Sequence, residues 1–205
     1  MAAKTKAIAL LDDPRWWDFI ERYAYDIGRF AVEVCGMNDV KEGGNPAPTW
    51  QQFDLFELVQ ENGCRVSVSS GHSTGKTRSA GIVMFTAPQI TQLRNQVWKE
   101  ITICYNLMML GEFAWLAEHI VIKAESVCIK GYEKTWHIIA KTAPKGAPEN
   151  LAGLHGDWLF IWADEASGVP DANFGVLGGA LSDSRNRMVL TSQPTRNNGF
   201  FYDTH

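Results

Sequence analysis

Apolar residues recur at two different periods along this chain, and the switches between them mark its elements. Trp16, Phe19, Ile20, Tyr23, Ile27, Phe30, Ala31 and Val34 follow a helical spacing. Asp13-Pro14 ahead of them supplies an N-cap and a first-turn proline, and Gly36 a stop. The pattern predicts one helix whose aromatic stripe packs into a core. Residues 37–48, with Gly43-Gly44-Asn45-Pro46, form a loop. Thr49-Trp50-Gln51-Gln52 has the form of a capping box and predicts a helix over about residues 50–62, closed by Gly63.

From there the period shortens. Val66 and Val68 alternate with Ser67 and Ser69 in a short strand, and residues 83–88 make a second strand that ends at Pro88. Leu93, Val97, Ile101, Tyr105 and Met108 then line one face of a long helix opened by Pro88 and ending near Gly111. Phe113, Leu116 and Ala117 predict a shorter one. Residues 119–122, 127–130 and 135–140 are β-like, and residues 141–149, with Pro144, Gly146 and Pro148, form a polar loop. Two further apolar runs, 157–166 and 187–195, end in polar residues: Asp164-Glu165 in the first, Thr191-Ser192-Gln193 in the second.

Composition narrows the setting. At 205 residues, 45% hydrophobic and 11% aromatic, the chain suffices for one ordinary domain with a large core. Its formal charge of −4 gives no overall basic field for nucleic acid, so such a contact needs a local patch. Cys35, Cys64, Cys104 and Cys128 show no paired spacing, which predicts reduced thiols and argues against a zinc site. No apolar run reaches the length of a membrane span, and the first residues lack the apolar stretch of a signal peptide. A soluble intracellular protein is expected.

The chemistry concentrates after the first strand. Ser70, Gly71, His72, Ser73, Thr74, Gly75, Lys76 and Thr77 follow it in a turn that opens a helix. Strand, Ser/Gly-rich turn and helix starting at Lys-Thr is the layout of a nucleoside triphosphate site, the P-loop or Walker A motif. Backbone N–H groups and the helix dipole hold the phosphates there. Lys76 is expected to reach the β- and γ-phosphates and Thr77 to ligate Mg²⁺. The motif G-x-x-x-x-G-K-T is imperfect, because Ser70 stands at the first glycine position and Gly71 follows it.

Asp164-Glu165 supplies the partner motif, Walker B. An apolar strand delivers both carboxylates at its C-terminal end, where open α/β sheets bind ligands. Strand alternation predicts that their side chains face opposite ways. Asp164 is expected to hold Mg²⁺ beside Thr77, and Glu165 to orient or deprotonate the attacking water. Thr191, Ser192 and Gln193 arrive at the same edge from the neighbouring strand, where they can sense the γ-phosphate. One of the two glutamines ahead of the loop, with Gln51 the candidate, offers a paired amide donor and acceptor to an adenine edge. A capping side chain and a surface amide are the alternative there.

One stretch is short. A helix of about six residues, the span between Thr77 and the next strand, rises roughly 9 Å. Retracing a five-residue strand needs roughly 17 Å. Either the two strands are not parallel neighbours or residues between Lys76 and Met84 are missing, and the second is the favoured expectation.

Taken together, residues 70–77, Thr86-Ala87-Pro88, Gly153-Leu154, residues 162–166, residues 191–194 and Gly199-Phe200-Phe201-Tyr202 resemble the ATPase domain of tailed-phage large terminase subunits. The resemblance runs from about residue 50 to the end. It implies an α/β P-loop NTPase of the additional-strand, RecA-like (ASCE) type, with a mostly parallel central sheet flanked by helices. It implies ATP and Mg²⁺ as cofactors and a motor that drives double-stranded DNA through a portal into a capsid. A small terminase subunit, a homo-oligomeric ring on the portal and the cytoplasm of the infected bacterial host come with it, and no membrane.

Residues 1–48 are then a helical lead-in and residues 49–205 the ATPase domain. The family's C-terminal nuclease is expected to be absent, and no nuclease activity with it. Many relatives place an arginine in the phosphate loop or before the acidic strand. This chain has His72, Ser73 and His155 there, which leaves Arg78, Arg185, Arg187 and Arg196 as candidates. The competing expectations are a helicase or other RecA-like ATPase acting on nucleic acid without a capsid, and a nucleotide-binding module with little hydrolysis.

Overall fold

The computed structural model describes residues 9–37, 48–69, 84–154, 156 and 158–205. Residues 70–77, and with them Lys76 and Thr77, lie outside the described residues, as does His155.

Asp13 caps the first helix, α1 (Pro14–Tyr23), by accepting from Arg15 N. The single helix expected through Val34 is interrupted. Asp26 restarts the chain as α2 (Ile27–Arg29) by accepting from Arg29 N at 2.8 Å, and a π-helical turn, Phe30–Val34, completes it. An Asx cap offers the backbone a competing partner, and here it outweighs an unbroken apolar spacing. Leu10, Tyr23 and Val34 bury against Met108, Leu116 and Ala117 of later helices.

The expected capping box opens α3 (Trp50–Gln60): Gln52 N donates to Thr49 Oγ1 at 3.3 Å and Thr49 N donates to Gln52 Oε1 at 2.8 Å. Gly63, at φ +73°, turns the chain into β1 (Arg65–Ser69). Next come β2 (Met84–Thr86), α4 (Ile90–Gln92), a π-helical turn (Leu93–Val97), α5 (Trp98–Leu110) and α6 (Ala114–Ala117). Two short antiparallel pairings join β3 (Ile120–Ile122), β4 (Ser126–Ile129) and β5 (His137–Ala140). The two apolar runs become β6 (Phe160–Asp164) and β7 (Arg187–Ser192), and α7 (Asp171–Ala180), which the apolar spacing did not predict, lies between them.

These strands form one sheet in the order β1-β7-β6-β2-β5-β4-β3. Its five strands from β1 to β5 run parallel, and β3–β4 and β4–β5 are the antiparallel pairs. β7 is therefore inserted between β1 and the acidic strand β6. That is the additional-strand, RecA-like α/β arrangement. β1 and β2 run parallel but are not neighbours, with β7 and β6 between them, and residues 70–83 lie outside the description.

Both faces are covered. Leu55 and Val59 of α3, with Leu93, Val97 and Trp98, pack on the face that carries Phe85, Phe160, Trp162 and Val189. Phe174 and Leu177 of α7 pack on the face carrying Met84, Ile161, Ala163, Met188 and Leu190. β6 is buried along its whole length, as a central parallel strand should be. Cys128 is buried and Cys35, Cys64 and Cys104 are half-buried, and none of the four is in a disulfide. Among the described residues no helix is long and apolar enough to cross a membrane.

Candidate active site

Parallel strands end at one edge of the sheet, and the register fixes what meets there. Ser69, the last residue of β1, pairs with Ser192 of β7, and Thr191 pairs with Asp164 of β6. The strand that leads into residues 70–77 thus ends about two strand spacings, roughly 10 Å, from the Asp164 backbone. Thr86 of β2 stands in register with Ala163 on the far side. The candidates Asp164, Glu165, Thr191, Ser192 and Gln193 come together along this edge.

Asp164 is buried at 3% exposure, a costly place for a carboxylate unless its oxygens are engaged. The Thr191 hydroxyl donates to Asp164 Oδ1 at 3.0 Å. Trp162 Nε1–H donates to Thr191 Oγ1 at 2.9 Å. Glu165 is half-buried and stands just past the strand in the left-handed region, at φ 49° and ψ 44°. It is the sole non-glycine residue with positive φ among the described residues. Glu165 thus stands outside β6, and its direction is set by this turn and not by strand alternation. A glutamate held in αL costs about 1–2 kcal/mol, which the surroundings must over-determine.

The surrounding hydrogen bonds supply that constraint. Gly168 N donates to Glu165 O at 2.8 Å, closing a 3₁₀ turn over Ala166–Gly168. Ser167 N donates to Ser192 Oγ at 3.1 Å, the Ser167 and Thr195 hydroxyls pair, and Thr195 N donates to Ser167 Oγ at 3.3 Å. The turn that carries Glu165 is thereby tied to the segment that follows β7. Neither Ser167 nor Thr195 stood out in the sequence, since a serine and a threonine in turns carry no local signal. Trp162 had one: a tryptophan within an aliphatic strand, two residues before an acid and so on its face.

Against this geometry stands a relative described as a probable terminase large subunit, from Enterobacteria phage P7, 34% identical over 212 residues and matching 97% of this chain. The chain is similar to that large subunit over almost all of its own length. It spans 41% of that relative's length. No family model matches it. Among solved structures, the large terminase ATPase domain of Thermus phage P74-26 shares 16% identity at a TM-score of 0.49, covering 76% of this chain and 73% of that one. The large terminase of another thermophilic bacteriophage, in complex with ADP, shares 12% at 0.45, covering 82% and 38%.

The terminase-like motifs divide by edge. Arg187 opens β7 at the opposite end of the sheet, where it donates to the carbonyls of Gln60 and Glu61 and to Asn62 Oδ1. Arg185 precedes it, paired with Asp183 and stacked on Trp158 with 4.8 Å to the ring centroid. Arg196 lies in the segment after β7 and is exposed. Arg78 lies outside the described residues. Leu55 and Val59 of α3 share one core with Val66 and Val68 of β1, and Arg187 donates to the carbonyl of Gln60 at the end of the helix. Its first turn carries Gln51, which is exposed, while Gln52 Oε1 is engaged in the cap.

Proposed function

We propose that this chain is the ATPase part of a DNA-packaging motor: it hydrolyses ATP, and the energy drives double-stranded viral DNA into a procapsid. The observation that carries the reading is Asp164-Glu165 at the end of β6, with Asp164 held by Thr191 and Glu165 in a non-glycine αL turn. The strand into the phosphate-loop motif ends at the same edge, on the far side of β7.

A magnesium ion suits this donor set. Mg²⁺ prefers oxygen ligands and is usually held by one or two carboxylates, water and phosphate rather than by a protein cage. Asp164 and Thr77 would hold it, and the bound ion would draw charge from the β- and γ-phosphate oxygens. Ser70, Gly71, His72, Ser73, Thr74, Gly75 and Lys76 cradle the phosphates, and Gln51 meets the adenine. Glu165 accepts a proton from the attacking water as its oxygen bonds to the γ-phosphorus. The bond to the bridging oxygen breaks, and ADP leaves. Thr191, Ser192 and Gln193 register the loss of the γ-phosphate. Arg196 is the best-placed described arginine for the developing charge, and in a ring it can act across a subunit boundary.

Residues 49–205 form the ATPase domain and residues 1–48 its lead-in. The partners are double-stranded DNA, a portal protein and a small terminase subunit, in the cytoplasm of the infected bacterium. Glu165→Gln tests the reading. It should abolish ATP turnover with nucleotide binding kept, and turnover near that of the unmodified chain would overturn it. A nucleotide-binding module is the second reading, favoured by the short span between Thr77 and Met84. ATP binding without phosphate release, even with DNA and portal present, would select it.

A further inference from the structure

Trp162 is 1% exposed and sits between Phe85 and Phe160, with ring centroids 6.1 and 6.0 Å away. Packing alone would be met by any large apolar side chain. The indole differs in its one polar atom, which donates to Thr191 Oγ1. An indole nitrogen can only donate, so the Thr191 hydroxyl must accept from it, and its single proton is left for Asp164 Oδ1. The direction of the chain is thus decided by chemistry: Trp162 to Thr191 to Asp164. The register builds it, since Trp162 and Asp164 share a face of β6 and Thr191 stands opposite Asp164 on β7. All three side chains are buried, where linked hydrogen bonds polarise one another and resist rotation.

We infer that Trp162 is a positioning residue for Asp164, acting through the Thr191 hydroxyl to fix the plane in which that carboxylate meets the nucleotide's cation. The inference rests on the proposed reading of Asp164 as the metal-side carboxylate. Trp162 touches neither nucleotide nor cation. Its effect appears in the metal requirement and not in the phosphate loop.

The test uses the full 205-residue chain and the variants Trp162→Phe, Thr191→Val, Thr191→Ser, Trp162→Phe/Thr191→Val and Asp164→Asn. Two quantities are read: the Mg²⁺ concentration that half-saturates binding of a fluorescent ATP analogue, and the same for turnover. Trp162→Phe should raise both roughly fivefold, the factor for about one hydrogen bond. Thr191→Val should raise them further, and Thr191→Ser should stay close to the unmodified chain. The double variant should match Thr191→Val alone, because Trp162 acts only through that hydroxyl. Should Trp162→Phe fail to fold, benzothienylalanine at position 162 keeps the ring shape without the N–H and takes its place. An unchanged metal requirement in the indole variant, or additive effects in the double, overturns the inference. If Asp164→Asn raises the requirement and Trp162→Phe does not, the positioning role alone fails. If Asp164→Asn leaves it unchanged, the metal-side reading of Asp164 fails with it.

Discussion

The backbone N–H of Ser167 donates to the Ser192 hydroxyl at 3.1 Å. This bond links the turn that carries Glu165 to the last residue of β7, and both partners are buried. Ser192 Oγ in turn donates to Gln193 O at 2.9 Å, so one hydroxyl joins the turn, the strand end and the residue beyond it. A shift of the turn that carries Glu165 has a direct mechanical path to residues 193–195.

Ser192→Ala removes the acceptor and leaves the Ser167 N–H buried without one. Such an orphan costs about 1–3 kcal/mol. The substitution lies outside residues 70–77, the proposed nucleotide cradle. Turnover should fall about tenfold, equivalent to about 1.4 kcal/mol of barrier, with nucleotide affinity within about twofold. Steady-state kinetics beside a binding titration separate the two, and a loss confined to affinity would contradict the link.

Glu165 is strained where it stands, and asparagine tolerates αL far better than glutamate. Glu165→Asn should therefore raise the melting temperature by about 2 °C while abolishing turnover. Stability gained with activity lost marks a residue kept for chemistry. Thermal unfolding followed by circular dichroism checks it. A lowered melting temperature would mean that the glutamate side chain stabilises the turn.

The acidic strand was legible because it couples an apolar run to polar residues that no core accommodates, while residues 70–77 lie outside the described residues. The capping box at Thr49 and Gln52 was legible for the same local reason. α7 was not. Its sequence, with Gly175, Gly178 and Gly179, is poor in helix formers, and its helix rests on Phe174 and Leu177 packing onto Met188 and Leu190. Nor does any local pattern in β7 state that it inserts between β1 and β6, since strand order depends on pairing between distant segments. The break at Asp26 was hidden because apolar spacing continues across it while the side-chain cap decides the backbone.

Two glycines with opposite surroundings give a paired prediction. A Cβ at Gly168 would stand 2.7 Å from Cγ of Pro88, a ring with no rotamer to yield. Gly168→Ala should therefore cost about 1–3 kcal/mol and displace the turn that holds Glu165. A Cβ at Gly175, exposed on α7, meets nothing within 4 Å. Gly175→Ala should stabilise by about 0.5–1 kcal/mol with turnover unchanged. Denaturant unfolding of both variants tests the pair, and equal effects would place the Gly168 turn away from Pro88.

The packing of the N-terminal helices is readable from pH. The Tyr23 hydroxyl donates to Glu33 Oε2 at 2.7 Å, and Arg22 and Arg29 pair with the same carboxylate. Burial, and then the bond to Glu33, push the Tyr23 phenol up to about 12. An unfolded tyrosine titrates near 10, so this contribution is intact below about pH 10 and is lost as pH rises toward 12. Glu33 is shifted the other way, its carboxyl held below the ordinary range first by the Tyr23 hydroxyl and then by Arg29. Its contribution is present above the usual glutamate range and is lost as pH falls through it. Tyr23→Phe should therefore melt below the unmodified chain between about pH 5 and 9, and the gap should narrow toward both extremes. A gap that stays constant from acid to alkali would show that Tyr23 stabilises these helices through its ring, tilted against Phe19 with centroids 4.9 Å apart, and not through its hydroxyl.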